Sequence, residues 1–140
     1  MKILIINGPN LNNLGKRNPS QYGSETLEQI NDRIDKQAKE LNIDVIFFQS
    51  NHEGVLIDFL QKETSSANGI IINPGALSHY GYSLHDALLD TKLPIVEVHL
   101  SDISTRKEEW RRKSIITPIA TKTIMGKRGE GYIEALRFFA

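Results

Sequence analysis

The chain has 140 residues, enough for one domain with a real core, and its 17 basic and 17 acidic side chains balance. That balance lacks the basic excess of a nucleic-acid binder, and the absence of cysteine excludes disulfides, thiolate catalysis and Cys-ligated metals. No run of about 18 apolar residues is present to span a membrane, and the apolar N-terminus, residues 1–6, is too short for a signal peptide. It leads directly into a polar turn and is expected to be a buried strand. The expected location is the cytosol, with neither membrane nor nucleic acid as partner.

In chain order, residues 3–6 form a short unbroken apolar run ended by Gly8 and Pro9, which suits a strand covered on both faces. Residues 7–24 follow as a long polar stretch rich in Asn, Gly and Pro, an uncommon feature in a compact domain and often a functional one. Thr26, with Gln29 three residues on, predicts a capped helix with its apolar face on Leu27, Ile30, Ile34, Ala38 and Leu41. Residues 45–48 read as a second strand. Asn51 is expected to cap the next helix, whose apolar face is read as Val55, Leu56, Phe59 and Leu60.

Residues 69–72 form the third strand, ended by Asn73, Pro74 and Gly75, and a helix through Leu84, Ala87 and Leu88 follows. Residues 94–98 are the fourth strand, the charged stretch 106–113 a short helix, residues 123–125 a fifth strand, and residues 132–139 the last helix. The alternation of strand and helix, without internal repeat or linker, points to an α/β fold: a flavodoxin-like open parallel sheet of about five strands with helices on both faces. All of 1–140 is expected to be a single catalytic domain. The strand order 2-1-3-4-5 is adopted by analogy with that architecture.

Open parallel sheets bind ligands beyond the carboxyl ends of their strands. Polar side chains collect there: Asn7, Asn10, Asn12, Asn13, Arg17 and Tyr22 after the first strand, and Gln49, Asn51, His52 and Glu53 after the second. Asn73 and His79 follow the third, and Glu97, His99, Ser101 and Asp102 lie at or after the fourth. Three of the four histidines fall on this rim. A zinc site from His52, His79, His99 and Glu97 lacks any local ligand pair, so no metal is expected. The run Gly126-Lys127-Arg128-Gly129-Glu130-Gly131 matches neither a Walker loop nor GxGxxG and reads as a turn. A nucleotide- or flavin-binding module of the same architecture would carry a Ser/Thr/Gly-rich first loop, where this chain has Asn, Pro, Arg and Tyr.

Taken together, Asn7-Gly8-Pro9-Asn10-Leu11-Asn12, Arg17-Asn18-Pro19 with Tyr22-Gly23, Gln49-Ser50-Asn51-His52-Glu53-Gly54, Asn73-Pro74-Gly75-Ala76 with His79, and Glu97-Val98-His99-Leu100-Ser101 resemble, in order and spacing, the type II 3-dehydroquinate dehydratases. The resemblance implies a lyase of the shikimate pathway, serving aromatic amino acid biosynthesis or quinate breakdown. It would dehydrate 3-dehydroquinate through an enolate, with no cofactor, metal or Schiff base.

By position, the resemblance makes Tyr22 the base, Arg17 the group that holds it ionised, His99 the acid for the departing hydroxyl, and Asn10 a partner of the enolate. Asn73, His79, Leu100, Ser101 and Arg111 would bind the small-molecule substrate. The segment around Arg111 is one residue longer than usual, which leaves Arg106 and Arg112 as alternatives to it. The family's habit of forming dodecamers of trimers implies a homo-oligomer in which Asp86 reaches toward a neighbouring subunit's site. Tyr80, Tyr82, Leu84, Leu88 and Leu89 place more apolar surface around one helix than a single core face requires. Asn18, Tyr80, Gly81 and His85 depart from the family pattern. An unperturbed tyrosine titrates near about 10, so a tyrosine base at neutrality needs a cation beside it.

Overall fold

A computed structural model describes all of residues 1–140. Five strands, β1 (Lys2–Asn7), β2 (Asp44–Gln49), β3 (Gly69–Asn73), β4 (Ile95–His99) and β5 (Lys122–Met125), form one all-parallel sheet in the order β2-β1-β3-β4-β5. The expected strands and their order are therefore correct to within a residue or two at each end.

The helices are α1 (Pro19–Tyr22), α2 (Leu27–Glu40), α3 (Glu53–Glu63), α4 (Leu77–Tyr80), α5 (Tyr82–Thr91) and α6 (Glu130–Phe139). Strand side chains alternate between the two faces of the sheet. Ile3, Ile5, Ile71, Val96 and Val98 pack with Ile30 and Ile34 of α2 and Ile133 and Leu136 of α6. Leu4, Ile6, Ile70, Ile72 and Ile95 pack with Leu56 and Leu60 of α3 and Leu84 and Leu88 of α5. Both faces are thus covered, which is why the central strands read as continuous apolar runs. No helix is long and apolar enough to cross a membrane.

Local sequence explains the elements that carry the site. Thr26 and Gln29 form the expected reciprocal capping box of α2. Asn18 accepts the Ser20 amide at 3.1 Å, and Pro19 occupies the first helical position, so a single turn, α1, forms inside the long first loop. Gly23, at φ +81°, ends that turn.

Four expectations need correction. Asn51 does not cap α3: the N-cap is His52, which makes no side-chain cap bond. The Asn51 carbonyl oxygen instead accepts the backbone N–H of Asn10 at 2.9 Å, a tertiary bond that outweighs the local one. Val55 is exposed, and the inner face of α3 is carried by Leu56 and Leu60 with half-buried Ile57 and Phe59. The charged stretch 106–113 contains only a 3₁₀ turn, Glu109–Arg111. Leu84 and Leu88 are fully buried against the sheet, so the surplus apolar surface around α5 is carried by Tyr80, Tyr82 and Leu89 alone.

The loops leaving β1 and β3 press together backbone to backbone. Gly8 donates its N–H to the Asn73 carbonyl at 2.8 Å, and a Cβ on Gly8 would lie 2.3 Å from the carbonyl oxygen of Pro74. Gly8→Ala must therefore force the two loops apart. A loss of about 2 kcal/mol or more in urea unfolding is expected, as for other overpacked sites. A variant as stable as the parent would show that the loops separate freely.

Candidate functional site

The carboxyl ends of β1, β3 and β4 surround a cavity whose empty space, counting its open mouth, is about 540 Å³. Of the residues singled out in the sequence, Asn10, Arg17, Tyr22, Asn73, His79, His99, Leu100, Ser101 and Arg111 all line it. Asp86 does not: it lies exposed on the flank of α5, bonded to His85 at 2.9 Å. His52 also stands outside the cavity, so the histidines at 52, 79 and 99 do not converge, and no three His, Asp or Glu side chains are grouped as metal ligands.

Tyr22 projects from α1 between two arginines. Nη2 of Arg17 donates to the phenol oxygen at 3.1 Å, and Nη2 of Arg106 donates to the same oxygen at 2.8 Å. The Arg17 guanidinium also lies over the ring, 4.0 Å from its centroid. Both contacts on the oxygen are charge-assisted hydrogen bonds donated by guanidiniums. Arg106 keeps a buried Nε–H with no partner in the chain.

The three arginines left open by the sequence now separate. Arg106 and Arg111 line the cavity, whereas Arg112 donates to the backbone carbonyls of Arg106 (2.7 Å) and Lys107 (2.8 Å) and ties the loop together.

His99 ends β4 and is almost fully buried. Its Nε2 lies 2.7 Å from Oε2 of Glu97, which is completely buried. Ser114 donates to that same carboxylate oxygen, and Thr117 (2.6 Å) and Thr123 (3.1 Å) donate to Oε1. Burial pushes the Glu97 carboxyl upward, but the bond and charge of His99 and the hydroxyls of Ser114 and Thr117 outweigh it and hold the group below the usual carboxylate range. Glu97 is thus an anion at neutral pH, and it occupies Nε2 of His99, leaving Nδ1 as the ring nitrogen free for other contacts.

His79, on α4, holds the Lys113 carbonyl through Nδ1 at 2.7 Å. Burial lowers its pKa, and the positive charges of His99, Arg111 and Arg106 lower it further, against the opposing effect of the Lys113 bond. The ring is therefore neutral at pH 7. With Nδ1–H donating to a carbonyl, Nε2 is left as an acceptor. Trp110 meets His79 edge-on at 5.4 Å between centroids, and Arg111 lies 4.2 Å over the indole.

Beneath the cavity, the buried Tyr132 of α6 joins two strand ends. Its hydroxyl donates to the Asn7 carbonyl oxygen and accepts from Nδ2 of Asn73 at 3.1 Å. Burial keeps this phenol far above its ordinary range, the Asn73 bond opposing only in part, so it remains a neutral donor. The Asn73 carbonyl oxygen accepts from Gly75, which leaves one amide hydrogen of Asn73 without a partner in the chain.

Sequence reasoning missed three features: Tyr132, the second guanidinium on Tyr22 and the hydroxyls around Glu97. The only advance signal was the open choice among arginines 106, 111 and 112.

A family model described as Dehydroquinase class II matches residues 1–140. A 3-dehydroquinate dehydratase from Roseiflexus castenholzii is 53% identical over 138 residues, 99% of this chain and 87% of that protein. The 3-dehydroquinate dehydratase of Bacillus subtilis is 48% identical, over 96% of this chain and 90% of its own. The crystal structure of type II dehydroquinase from Butyrivibrio crossotus superposes with a TM-score of 0.95 at 44% identity, covering 99% of this chain and 96% of that one. With matches that run from end to end and a cavity where the sheet places it, the chain belongs to the class II dehydroquinase family and is an enzyme that dehydrates 3-dehydroquinate.

Proposed function

We propose that the dehydration to 3-dehydroshikimate runs through an enolate, with Tyr22 as base and His99 as acid. The observation that supports this most directly is the phenol oxygen of Tyr22, which accepts from two guanidiniums. Two guanidinium donors leave the phenol oxygen acting only as an acceptor within the chain, the role of a group that takes a proton, here from the carbon beside the ketone. The charge that develops on the ketone oxygen needs donors around it, and Asn10, held in a left-handed conformation by Asn51, contributes to them directly or through water.

His99 then protonates the hydroxyl leaving the next carbon, and Glu97 supports the imidazolium that must precede this step. Asn73, His79, Arg111 and the chain at Leu100 and Ser101 hold the substrate: the free Nδ2–H of Asn73 and Nε2 of His79 supply one donor and one acceptor for its polar groups. The basic side chains that line the cavity are arginines and histidines, which do not form imines, and the proposed scheme accordingly runs without a Schiff base. Metal has no part in the scheme.

The same reading makes the protein a single-domain cytoplasmic enzyme that assembles as a dodecamer of trimers. Tyr80, Tyr82 and Leu89, each more than half exposed, and Asp86 beside them would then face a neighbouring subunit. Light scattering should give a mass twelve times the 15.8 kDa of the chain; a fully active monomer would contradict the assembly.

Tyr22→Phe keeps the ring and removes the oxygen, and kcat should fall by about 10²–10⁴-fold with little change in KM. Arg106→Ala should lower kcat as Arg17→Ala does, because each removes one of the two cations on the phenol oxygen. Retention of most turnover in the Tyr22 variant would remove it as the base.

His99→Ala removes the acid but leaves the base in place. Exchange of the labile proton with deuterium oxide, followed by NMR, should therefore survive better than dehydration. Equal loss of both in this variant, with exchange preserved in Tyr22→Phe, would reverse the two roles.

A further inference from the structure

The buried carboxylate behind His99 is held by more than the imidazole. One oxygen, Oε2, is shared by His99 and the hydroxyl of Ser114, and the other, Oε1, receives the hydroxyls of Thr117 and Thr123. These donors come from the loop after β4 and from β5, distant in sequence from the histidine that Glu97 touches. Ser114 is itself fixed, because its oxygen accepts the N–H of Ile116 at 3.1 Å. Glu97 forms an ion pair with His99 alone, so these neutral hydroxyls supply all its other side-chain hydrogen bonds.

A buried carboxylate with an imidazole as its only partner has an alternative: it can take the imidazole's proton, leaving two neutral groups. A neutral imidazole is a far weaker acid than an imidazolium. Hydroxyls that donate to both carboxylate oxygens stabilise the anion and oppose that transfer.

We propose that Ser114 and Thr117 are positioning residues of the dehydration, which act through Glu97 to keep its carboxylate ionised and aimed at Nε2 of His99, so that His99 meets the leaving hydroxyl as an imidazolium. The inference rests on the reading of His99 as the acid. The other titratable or charged groups around the cavity that His99 faces are Tyr22 and Arg17 from the first loop, His79 from α4, and Arg106 and Arg111 from the loop after β4. None of these is bonded to Glu97, and the one tied to the segment of Ser114 is His79, through the carbonyl of Lys113.

The test is the pH dependence of kcat and KM for Ser114→Ala, Thr117→Val and the double variant, in the intact enzyme with 3-dehydroquinate. Loss of donors makes Glu97 easier to protonate, so the acid limb of kcat should move upward by about one pH unit in the double variant. At the optimum kcat should fall about 10-fold or more, with KM within about threefold of the parent. Thr117→Ser, which restores the hydroxyl, should recover most of the loss.

In a Glu97→Gln background the same double change should lower kcat by less than about twofold further, because its route of action is already gone. An acid limb that stays in place, losses that simply multiply with Glu97→Gln, or a fall in thermal stability alone would overturn the proposal. If the double variant does not fold, Ser114→Ala, a one-atom truncation, carries the same test. His99→Ala separates the two readings. Full kcat in that variant removes His99 as the acid, whereas loss of kcat there with an unmoved limb in the hydroxyl variants removes only the present inference.

Discussion

The junction between the ends of β1 and β3 is the constraint from which the site is built. Asn7 and Asn73 are side by side in register, and the hydroxyl of Tyr132 bonds to both from below. Just beyond them, Gly8 and Gly75 let the two loops touch backbone to backbone: a Cβ on either would come within 3 Å of the other loop. Gly75 is at φ +61° as well, so a side chain there would be strained by conformation in addition to crowding. The first loop leaves this junction toward Asn10, Arg17 and Tyr22, and the second toward His79. Groups of the proposed base and of the substrate's polar contacts thus share one origin.

Charge is distributed in the same economical way. The chain is neutral overall, yet Arg17, Arg106 and Arg111 surround one cavity whose lining includes no carboxylate. The one buried carboxylate nearby, Glu97, lies behind His99 and is saturated with donors. Such a cavity favours an anionic ligand and an anionic intermediate over their neutral forms, because the compensating negative charge has been kept out of contact with the arginines. His79 conforms to this pattern: a neutral ring adds an acceptor to a set of cations without adding another positive charge.

Much of this architecture was legible in the sequence, and the reason is local. Residues 3–6 and 69–72 read as buried strands because both faces of the sheet are covered, and Thr26 with Gln29 announces a cap that depends only on three-residue spacing. The rim residues could be found because parallel topology fixes which strand ends face the ligand. What escaped depends on partners far along the chain. Asn51 has the chemistry of a cap, and nothing local says that its oxygen is engaged by the backbone of Asn10. Tyr132 lies 125 residues from Asn7, and Thr123 lies 26 residues from Glu97. Arg106, Arg111 and Arg112 are alike in the sequence, and only the path of the loop decides that the last one points at its own backbone.

Trp110 is the one tryptophan of the chain, and it packs against His79 and Arg111, two residues that line the cavity. Indole emission responds to nearby charge and to the water around the ring, so all tryptophan fluorescence of this protein originates beside the site and none comes from elsewhere to dilute it. A shift of the Arg111 guanidinium or a change in the ionisation of His79 changes the surroundings of that one indole. The loop that carries Arg111 thus holds its own optical label, readable with every residue of the cavity unaltered.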